Sequence, residues 1–219
     1  MRGVYSGLYL VTPNWDDTGR LLAATESGLR GGAVLVQYRH KEADQALRLE
    51  QASALLALCR RYGRRLVVND HLELCMQIGA DGVHLGGTDV APALARRVLG
   101  PGKIVGVSCY GQLALAHAAQ EAGASYAAFG GFYPSPVKKY DFVTAPSILD
   151  TARAQLRLPL VVIGGMTADN AAPLVARGAH MVAAITSVYQ AADTAAAVHA
   201  FDALFAAGAQ TCEFKMHTV

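Results

Sequence analysis

The 219-residue chain is poor in charged residues, which make up 16% of it, whereas hydrophobic residues make up 53%. It carries a net charge of +2 without a long run of Lys or Arg, and its densest basic stretch, residues 60–65, is typical of the solvated end of a helix. We therefore expect neither nucleic acid nor an acidic membrane surface as a partner. The composition is that of one globular domain with a substantial buried core.

Long apolar segments and targeting signals are missing as well. No hydrophobic run reaches the length that spans a bilayer, and the N-terminus lacks the charged, apolar and small-residue regions of a signal peptide. On these grounds we expect a cytoplasmic protein without a membrane partner.

Cysteine is scarce and scattered. The chain has four, and they show neither C-x-x-C spacing nor a nearby pair of histidines. They are Cys59, Cys75, Cys109 and Cys212. This pattern favours buried core residues over a zinc site, a disulfide framework or a cysteine nucleophile.

Short apolar runs alternate regularly with amphipathic stretches along the chain. The predicted strands are Leu8–Thr12, Val34–Arg39, Leu66–Asn69, Gly82–Leu85, Ile104–Val107, Tyr126–Gly130, Leu160–Ile163 and Met181–Ile185. The predicted helices are Leu21–Arg30, Ala43–Tyr62, His71–Ile78, Pro92–Val98, Gln112–Ala122, Pro146–Gln155, Asn170–Ala176 and Ala195–Ala206. Eight such units in this length favour an α/β fold whose parallel strands close into a (β/α)8 TIM barrel.

An open, doubly wound sheet is the alternative architecture. It is disfavoured because no G-x-G-x-x-G motif follows the first strand. No linker rich in Pro or Ser divides the chain, so we assign residues 1–207 to a single barrel domain. Residues 208–219 form a C-terminal tail that is a candidate for disorder.

Two acidic residues stand where neighbouring predicted strands end. Asp70 closes the third strand, and Asp89 follows the fourth by a few residues. Each could instead cap the helix that comes next, which is the more ordinary role of an isolated Asp at such a point. Because the carboxyl ends of parallel strands meet at one rim, the pair predicts a shared Mg²⁺ ion, which prefers oxygen ligands.

The barrel brings many other polar residues to the same rim. They are Tyr9, Thr12, Gln37, Arg39, His40, Lys41, Asn69, His84, Ser108, Ser135, Lys138 and Lys139. A rim that is both cationic and able to bind a metal suits a pyrophosphate or polyphosphate chelated by Mg²⁺.

Small residues follow the last two predicted strands, as Gly164–Gly165 and Thr186–Ser187. In barrels of this kind the loops after the seventh and eighth strands commonly hold a phosphate through backbone N–H groups. The pattern predicts a second anion site, and the alternative is that both segments are simply tight turns.

Several short stretches, taken in order, cover the whole predicted barrel. They are residues 8–12 (LYLVT), Gln37-x-Arg39-x-Lys41, 68–70 (VND), 80–86 (ADGVHLG) with Asp89, 105–108 (VGVS), 132–135 (FYPS) with Lys138, 163–166 (IGGM) and 184–188 (AITSV). Together they resemble the thiamine phosphate synthase family, whose members are (β/α)8 enzymes.

The resemblance implies a transferase that joins hydroxymethylpyrimidine pyrophosphate to a thiazole phosphate and releases pyrophosphate. It implies Mg²⁺ at Asp70 and Asp89, with these small molecules as partners. The residues implied to bind the pyrophosphate and to assist its departure are Arg39, Lys41, Asn69, Ser108 and Lys138. Those implied to contact the pyrimidine are Tyr9, Gln37 and His84, with Ser135 also assigned to substrate binding. Those implied to surround the thiazole phosphate are Gly165, Thr186 and Val188.

Three positions depart from the family pattern. Gly87 replaces a frequent glutamine, Tyr110 a histidine and Val137 a threonine. Val137 suggests one alternative, a catalytically silent relative that binds thiamine phosphate or its precursors. The related thiazole tautomerase is another alternative, but it is associated with a histidine in place of Tyr110, so Tyr110 together with Asp70 and Asp89 favours the synthase. The oligomeric state stays open, and a homo-oligomer is compatible with the sequence.

Overall fold

The computed structural model of the chain describes the backbone of residues 5–135 and 141–212, and the side chains of these residues up to residue 206. Its strands are β1 (Gly7–Val11), β2 (Leu35–Tyr38), β3 (Arg65–Asn69), β4 (Gly82–Leu85), β5 (Ile104–Tyr110), β6 (Tyr126–Gly130), β7 (Leu160–Ile163) and β8 (Met181–Ala184). They pair in sequence order, all parallel, and β8 pairs with β1. The predicted closed (β/α)8 barrel is therefore confirmed.

Helices connect the strands and cover the barrel. They are α1 (Thr18–Arg30), α2 (Gln45–Arg61), α3 (Leu72–Ile78), α4 (Pro92–Leu99), α5 (Leu113–Glu121), α6 (Ile148–Gln155), α7 (Ala168–Ala176), α8 (Thr186–Tyr189) and α9 (Thr194–Cys212). Within the described residues, no helix is both long enough and apolar enough to cross a membrane. The cytoplasmic location stays a prediction.

Alternate residues of each strand point towards the helices, and the residues between them point into the barrel. On β4, Val83 and Leu85 belong to the core between barrel and helices, whereas the His84 side chain reaches across the interior. A second apolar cluster fills the interior and includes Ile104 and Met181. Because both faces of each strand are buried, the strands appear in the sequence as nearly continuous apolar runs.

Several element boundaries differ from the prediction. β5 continues past the predicted end at Val107 as far as Tyr110, and its register against β6 shifts between Ser108 and Tyr110. Helix α8, a single turn directly after β8, was not predicted, since four residues are too few to show helical periodicity. Helix α9 runs through the predicted boundary after residue 207, and residues 213–219 lie outside the described residues.

Three of the cysteines are free and buried, as predicted. Burial raises the pKa of the thiols to about 12 at Cys59 and Cys109 and to about 11 at Cys75. These groups therefore stay protonated and serve as small core residues.

Two glycines give the barrel interior room for large neighbours. A Cβ atom on Gly82 would lie 2.1 Å from the backbone oxygen of Ile104 on the adjacent strand. A Cβ atom on Gly106 would lie 2.1 Å from the ring of Tyr126. Both distances are far below a van der Waals contact, so these positions on β4 and β5 require glycine for packing reasons.

The substitution Gly82→Ala is expected to lower the free energy of unfolding by about 1–3 kcal/mol, because β4 and β5 must move apart to admit the methyl group. Gly102→Ala is the control, since nothing lies within 4 Å of the added Cβ there. Urea unfolding followed by circular dichroism measures both. Equal stability of the two variants would contradict this account of the packing.

Candidate active site at the carboxyl-terminal rim

A cavity of about 550 Å³ opens at the carboxyl ends of the strands. Most of the predicted site residues lie on its wall, namely Gln37, Arg39, Lys41, Asn69, Asp70, His84, Asp89, Ser108, Ser135, Gly165 and Thr186. Tyr9 and Val188 are buried beside the cavity and do not line it. Lys138 lies outside the described residues, as does Val137. The barrel thus brings together residues from strand ends that are far apart in sequence.

An acidic pair with one lysine forms one side of this cavity. The Lys41 ammonium makes an ion pair with the Asp70 carboxylate, and the carboxyl groups of Asp70 and Asp89 are close enough to share a hydrogen bond. Asp89 Oδ2 also accepts a hydrogen bond from the Gly86 N–H, at 2.6 Å. The loop after β4 therefore folds back and turns Asp89 towards β3.

The capping alternative for the two acids is wrong. The position before helix α3 is His71, not Asp70, and the position before α4 is Ala91; neither makes a side-chain cap. Asp70 instead adopts a left-handed backbone conformation with φ 61°. Such a conformation is unfavourable for most residues and often marks a functional position.

The surroundings of the two carboxyl groups shift their pKa values in opposite directions. Burial alone would raise the pKa of Asp70, but hydrogen bonds from Lys41 and Asp89 and the charge of Lys41 outweigh it, so the pKa is lowered. Burial raises the pKa of Asp89, and the hydrogen bond and negative charge of Asp70 raise it further. Asp89 is therefore the member of the pair that holds a proton more readily.

The loop after β1 holds the basic side of the rim in place. The Thr12 hydroxyl accepts a hydrogen bond from the Arg39 N–H at 2.7 Å and donates to the Arg39 carbonyl at 3.0 Å. The Asn14 side-chain oxygen accepts from the Lys41 N–H at 3.3 Å. Thr12 is fully buried, so it acts as a support for the strand end and not as a ligand contact.

Two of the departures from the family pattern touch each other. The Tyr110 hydroxyl accepts a hydrogen bond from the Gly87 N–H at 3.0 Å. A Cβ atom on Gly87 would lie 3.3 Å from that hydroxyl, which is tighter than an ordinary contact. Tyr110 has φ 52°, a second left-handed residue at a strand end of the rim. The small Gly87 and the large Tyr110 are therefore a matched pair that anchors the loop carrying Asp89.

A chain of hydrogen bonds lies beneath the cavity. Gln37 Nε2 donates to the Tyr9 hydroxyl at 2.6 Å, and the hydroxyls of Tyr9 and Tyr126 are 2.7 Å apart. His84 Nδ1 is 2.9 Å from the Tyr126 hydroxyl, and His84 Nε2 is 2.9 Å from the Ser108 hydroxyl. Burial raises the pKa of both phenols, which therefore stay neutral.

Sequence reasoning missed Tyr126 because it stands at the start of its strand, away from the rim. A signal was nevertheless present. Tyr126 and Tyr9 are large hydroxyl-bearing residues in otherwise apolar strands, and a buried hydroxyl must find a partner.

Small residues form the opposite side of the cavity, as predicted. Gly164 and Gly165 have φ of 104° and 64°, and a Cβ atom on Gly165 would lie 2.2 Å from the Pro134 carbonyl oxygen. Helix α8 begins at Thr186, next to the Ser187 hydroxyl, which is buried and has no hydrogen-bond partner among the described residues. The Ser187 hydroxyl and the close approach that the glycines allow to the backbone suit an anion on this wall.

Val188 is not part of the cavity wall, and its role in binding the thiazole phosphate stays a prediction. Its side chain is fully buried, and its N–H donates to the Ile185 carbonyl at 3.2 Å within the turn of α8. Ser187, which the sequence placed in the second anion site for its backbone, lies on the cavity wall with its side chain.

The acidic pair fits a magnesium ion. Mg²⁺ in proteins is typically held by one or two carboxylates together with water and substrate phosphate. Asp70 and Asp89 face each other on the wall of an open cavity, and a cation would offset the repulsion between them. Across the described ranges no group of three or more His, Cys, Asp and Glu side chains forms a self-contained metal centre.

A closed barrel that carries basic and acidic side chains and a group of glycines and small residues around one rim cavity is typical of phosphate-handling (β/α)8 enzymes. Comparison with known proteins agrees with that class. The family model described as thiamine monophosphate synthase matches residues 8–188. The chain therefore belongs to the thiamine monophosphate synthase family, and the resemblance to this family that the sequence motifs indicated is confirmed.

Individual relatives support the same assignment. The chain is 62% identical to a thiamine-phosphate synthase from Janthinobacterium sp. (strain Marseille), across 94% of this chain and 100% of that protein. It is 50% identical to one from Thiobacillus denitrificans, across 94% and 98%. The solved structure of a thiamine phosphate pyrophosphorylase from Pyrococcus furiosus aligns with a TM-score of 0.83 at 28% identity, covering 94% of this chain and 98% of that one.

Asp89→Asn is expected to raise the free energy of unfolding of the metal-free protein by up to about 1 kcal/mol, since it removes a like charge beside Asp70. The new amide keeps an oxygen for the Gly86 N–H and can donate to Asp70. Urea unfolding in the presence of a chelator measures the change. Asp169→Asn, which removes a favourable charge from the first turn of α7, should lower stability slightly. A larger loss for Asp89→Asn than for this control would contradict the repulsion.

Proposed function

We propose that this chain joins hydroxymethylpyrimidine pyrophosphate to a thiazole phosphate, giving thiamine phosphate and pyrophosphate. The supporting observation is that a single cavity is lined by an acidic and basic cluster from β2 to β4 and by a separate group of glycines and small residues after β7 and β8. A reaction with one pyrophosphate-bearing and one phosphate-bearing substrate needs two such sites. The relatives named thiamine-phosphate synthase point to the same reaction.

The acidic pair is proposed to hold Mg²⁺. A bound cation would neutralise charge on the departing pyrophosphate. Lys41 lies against the same pair, so it can move its ammonium group from Asp70 to a phosphoryl oxygen when the carboxylates are otherwise engaged. Its position thereby couples the state of the acidic pair to binding of the leaving group.

The neighbouring polar residues are proposed to bind the remaining pyrophosphate oxygens. Arg39 and Asn69 lie on the cavity wall at the ends of β2 and β3, and Ser108 lies on β5. Each charge-assisted contact that strengthens as the anion leaves is worth about 1.5–3 kcal/mol. Lys138 is assigned to the same role by resemblance alone.

The chemistry asks little else of the protein. The bond between the pyrimidine methylene carbon and the pyrophosphate oxygen breaks, and the electron-rich aminopyrimidine spreads the positive charge that remains. The thiazole nitrogen then donates its electron pair to that carbon. Because no proton must be removed, the protein contributes positioning and electrostatic stabilisation, and no side-chain nucleophile is required.

The two organic parts occupy opposite sides of the cavity in this proposal. Gln37 and His84 lie near its floor, where they can contact the pyrimidine. Gly165, Thr186 and Ser187 surround the phosphate of the thiazole, with the Ser187 hydroxyl, which has no hydrogen-bond partner among the described residues, as an additional donor. Tyr9 supports Gln37 from below through the Gln37 side-chain amide.

The function is tested by incubating the purified protein with both substrates and Mg²⁺ and measuring thiamine phosphate and pyrophosphate. We expect pyrophosphate release that depends on both substrates and matches thiamine phosphate in amount. Binding of the substrates without release would favour the catalytically silent relative. Conversion of the thiazole compound alone would favour a tautomerase.

Asp70→Asn is expected to reduce the rate at limiting Mg²⁺ by about tenfold or more, because it removes one carboxylate from the proposed pair. Its effect on the free energy of unfolding should be small, since the residue lies at the rim and outside the core. The measurement is pyrophosphate release as a function of Mg²⁺ concentration, with thermal unfolding in parallel.

Glu121→Gln serves as the control for this variant. Glu121 is an exposed carboxylate at the end of α5, on the opposite side of the barrel from the cavity. Its substitution should leave the Mg²⁺ dependence unchanged. Wild-type turnover by Asp70→Asn at limiting Mg²⁺ would show that the metal assignment is wrong.

A further inference from the structure

Two links of the hydrogen-bonded chain beneath the cavity, Tyr9–Tyr126 and Tyr126–His84, join strands that are not neighbours in the barrel. The whole hydrogen-bonded chain runs from Gln37 on β2 through Tyr9 on β1, Tyr126 on β6 and His84 on β4 to Ser108 on β5. The four groups before Ser108 are at most 8% exposed. The Tyr126 ring spans the interior because Gly106 has no side chain in its way. This series of hydrogen bonds therefore connects two sides of the cavity through its buried floor.

Among the described residues, the Tyr9 and Tyr126 hydroxyls have no hydrogen-bond partner outside this hydrogen-bonded chain, so each must use its one hydrogen within it and all the hydrogens point the same way. Each phenol has one hydrogen to donate, and a neutral imidazole donates from one nitrogen and accepts at the other. If Gln37 donates to Tyr9, then Tyr9 donates to Tyr126 and Tyr126 donates to Nδ1 of His84. Nε2 of His84 must then carry the hydrogen and donate to Ser108. The Ser108 hydroxyl hydrogen is left to point into the cavity.

Reversing any one link reverses the others. If the Gln37 side chain turned over and presented its oxygen to Tyr9, the same bonds would form in the opposite direction. Ser108 would then donate to His84 and present only lone pairs to the cavity, while Gln37 would present its N–H groups. The two ends, both on the cavity wall, are thus linked by the direction of the chain.

We propose that Tyr126 is a positioning residue that couples recognition of the pyrimidine at Gln37 to donation of a hydrogen bond by Ser108 to the pyrophosphate. This inference rests on the proposed function, because the substrate must present an amino group at one end and phosphoryl oxygens at the other. An amino group needs the Gln37 oxygen, and a phosphoryl oxygen needs the Ser108 hydrogen. The direction in which Gln37 donates to Tyr9 satisfies both ends. In the opposite direction Gln37 can donate only to a ring nitrogen of the pyrimidine, and Ser108 no longer donates to the phosphoryl oxygen.

The coupling is measured by a double-mutant cycle. Gln37→Met and Ser108→Ala are made singly and together, in the wild-type protein and in Tyr126→Phe, and kcat/KM for the pyrimidine pyrophosphate is determined. In the wild-type background the loss of kcat/KM in the double variant should be about fivefold smaller than the product of the two single losses. The reason is that either substitution alone removes one end of the hydrogen-bonded chain, so the remaining hydrogens are no longer held in one direction. In Tyr126→Phe the two losses should simply multiply.

Tyr38→Phe is the matched control for loss of a buried hydroxyl. Tyr38 is 2% exposed, and its hydroxyl donates to Gln51 Oε1 at 3.1 Å between β2 and α2, away from the chain. This variant should lose stability through its own hydrogen bond and keep the Gln37–Ser108 coupling. Equal coupling in Tyr126→Phe and Tyr38→Phe would overturn the proposal.

The tautomer of His84 gives a readout that needs no turnover. Nitrogen-15 NMR of the wild-type protein with inorganic pyrophosphate and Mg²⁺ should show a neutral imidazole protonated at Nε2. Protonation at Nδ1, or an imidazolium, would overturn the proposal even if Tyr126→Phe fails to fold. If the wild-type protein releases no pyrophosphate, the proposed function fails; if it does and the tautomer or the cycle disagrees, only the coupling fails.

Discussion

Parallel closure of the barrel is the constraint on which the site depends. Because every strand enters the barrel in the same direction, every carboxyl end arrives at one rim, and the loops that follow must surround a common opening. Closure also makes the interior narrow, so the inward residues must fit one another. Gly82 and Gly106 allow the neighbouring backbone of Ile104 and the ring of Tyr126 to occupy that space. The position of the cavity floor follows from this packing.

Burial of polar groups is unfavourable, and the floor and the rim of the cavity differ in how it is compensated. Tyr9, Tyr126 and His84 are buried, which is unfavourable unless each group is hydrogen-bonded, and they satisfy one another. At the rim, Asp70 and Asp89 stand close together as like charges, and Asp70 adopts a left-handed backbone conformation. Locally unfavourable arrangements of this kind cluster at functional sites. A bound cation would offset the repulsion between the two carboxylates.

Prediction from sequence succeeded where a signal repeats along the chain. Alternation of apolar runs and amphipathic stretches was sufficient to locate all eight strands and the closed barrel, because burial on both faces leaves a strong pattern in each strand. Asp70, Lys41 and Gly165 were found because they follow strand ends. Helix α8 and the extension of β5 to Tyr110 were missed, since one turn and one irregular register leave no periodic signal.

The sequence by itself determined the fold class, the family and which residues reach the rim, because strand order and direction fix those outcomes. Only the tertiary structure decided which of these residues touch. That Asp70 pairs with Lys41 and does not cap α3, that Tyr110 anchors Gly87, and that Tyr126 links Tyr9 to His84 depend on loop conformations and side-chain reach across the interior. Such contacts join residues that lie far apart in sequence, and only three-dimensional packing selects them.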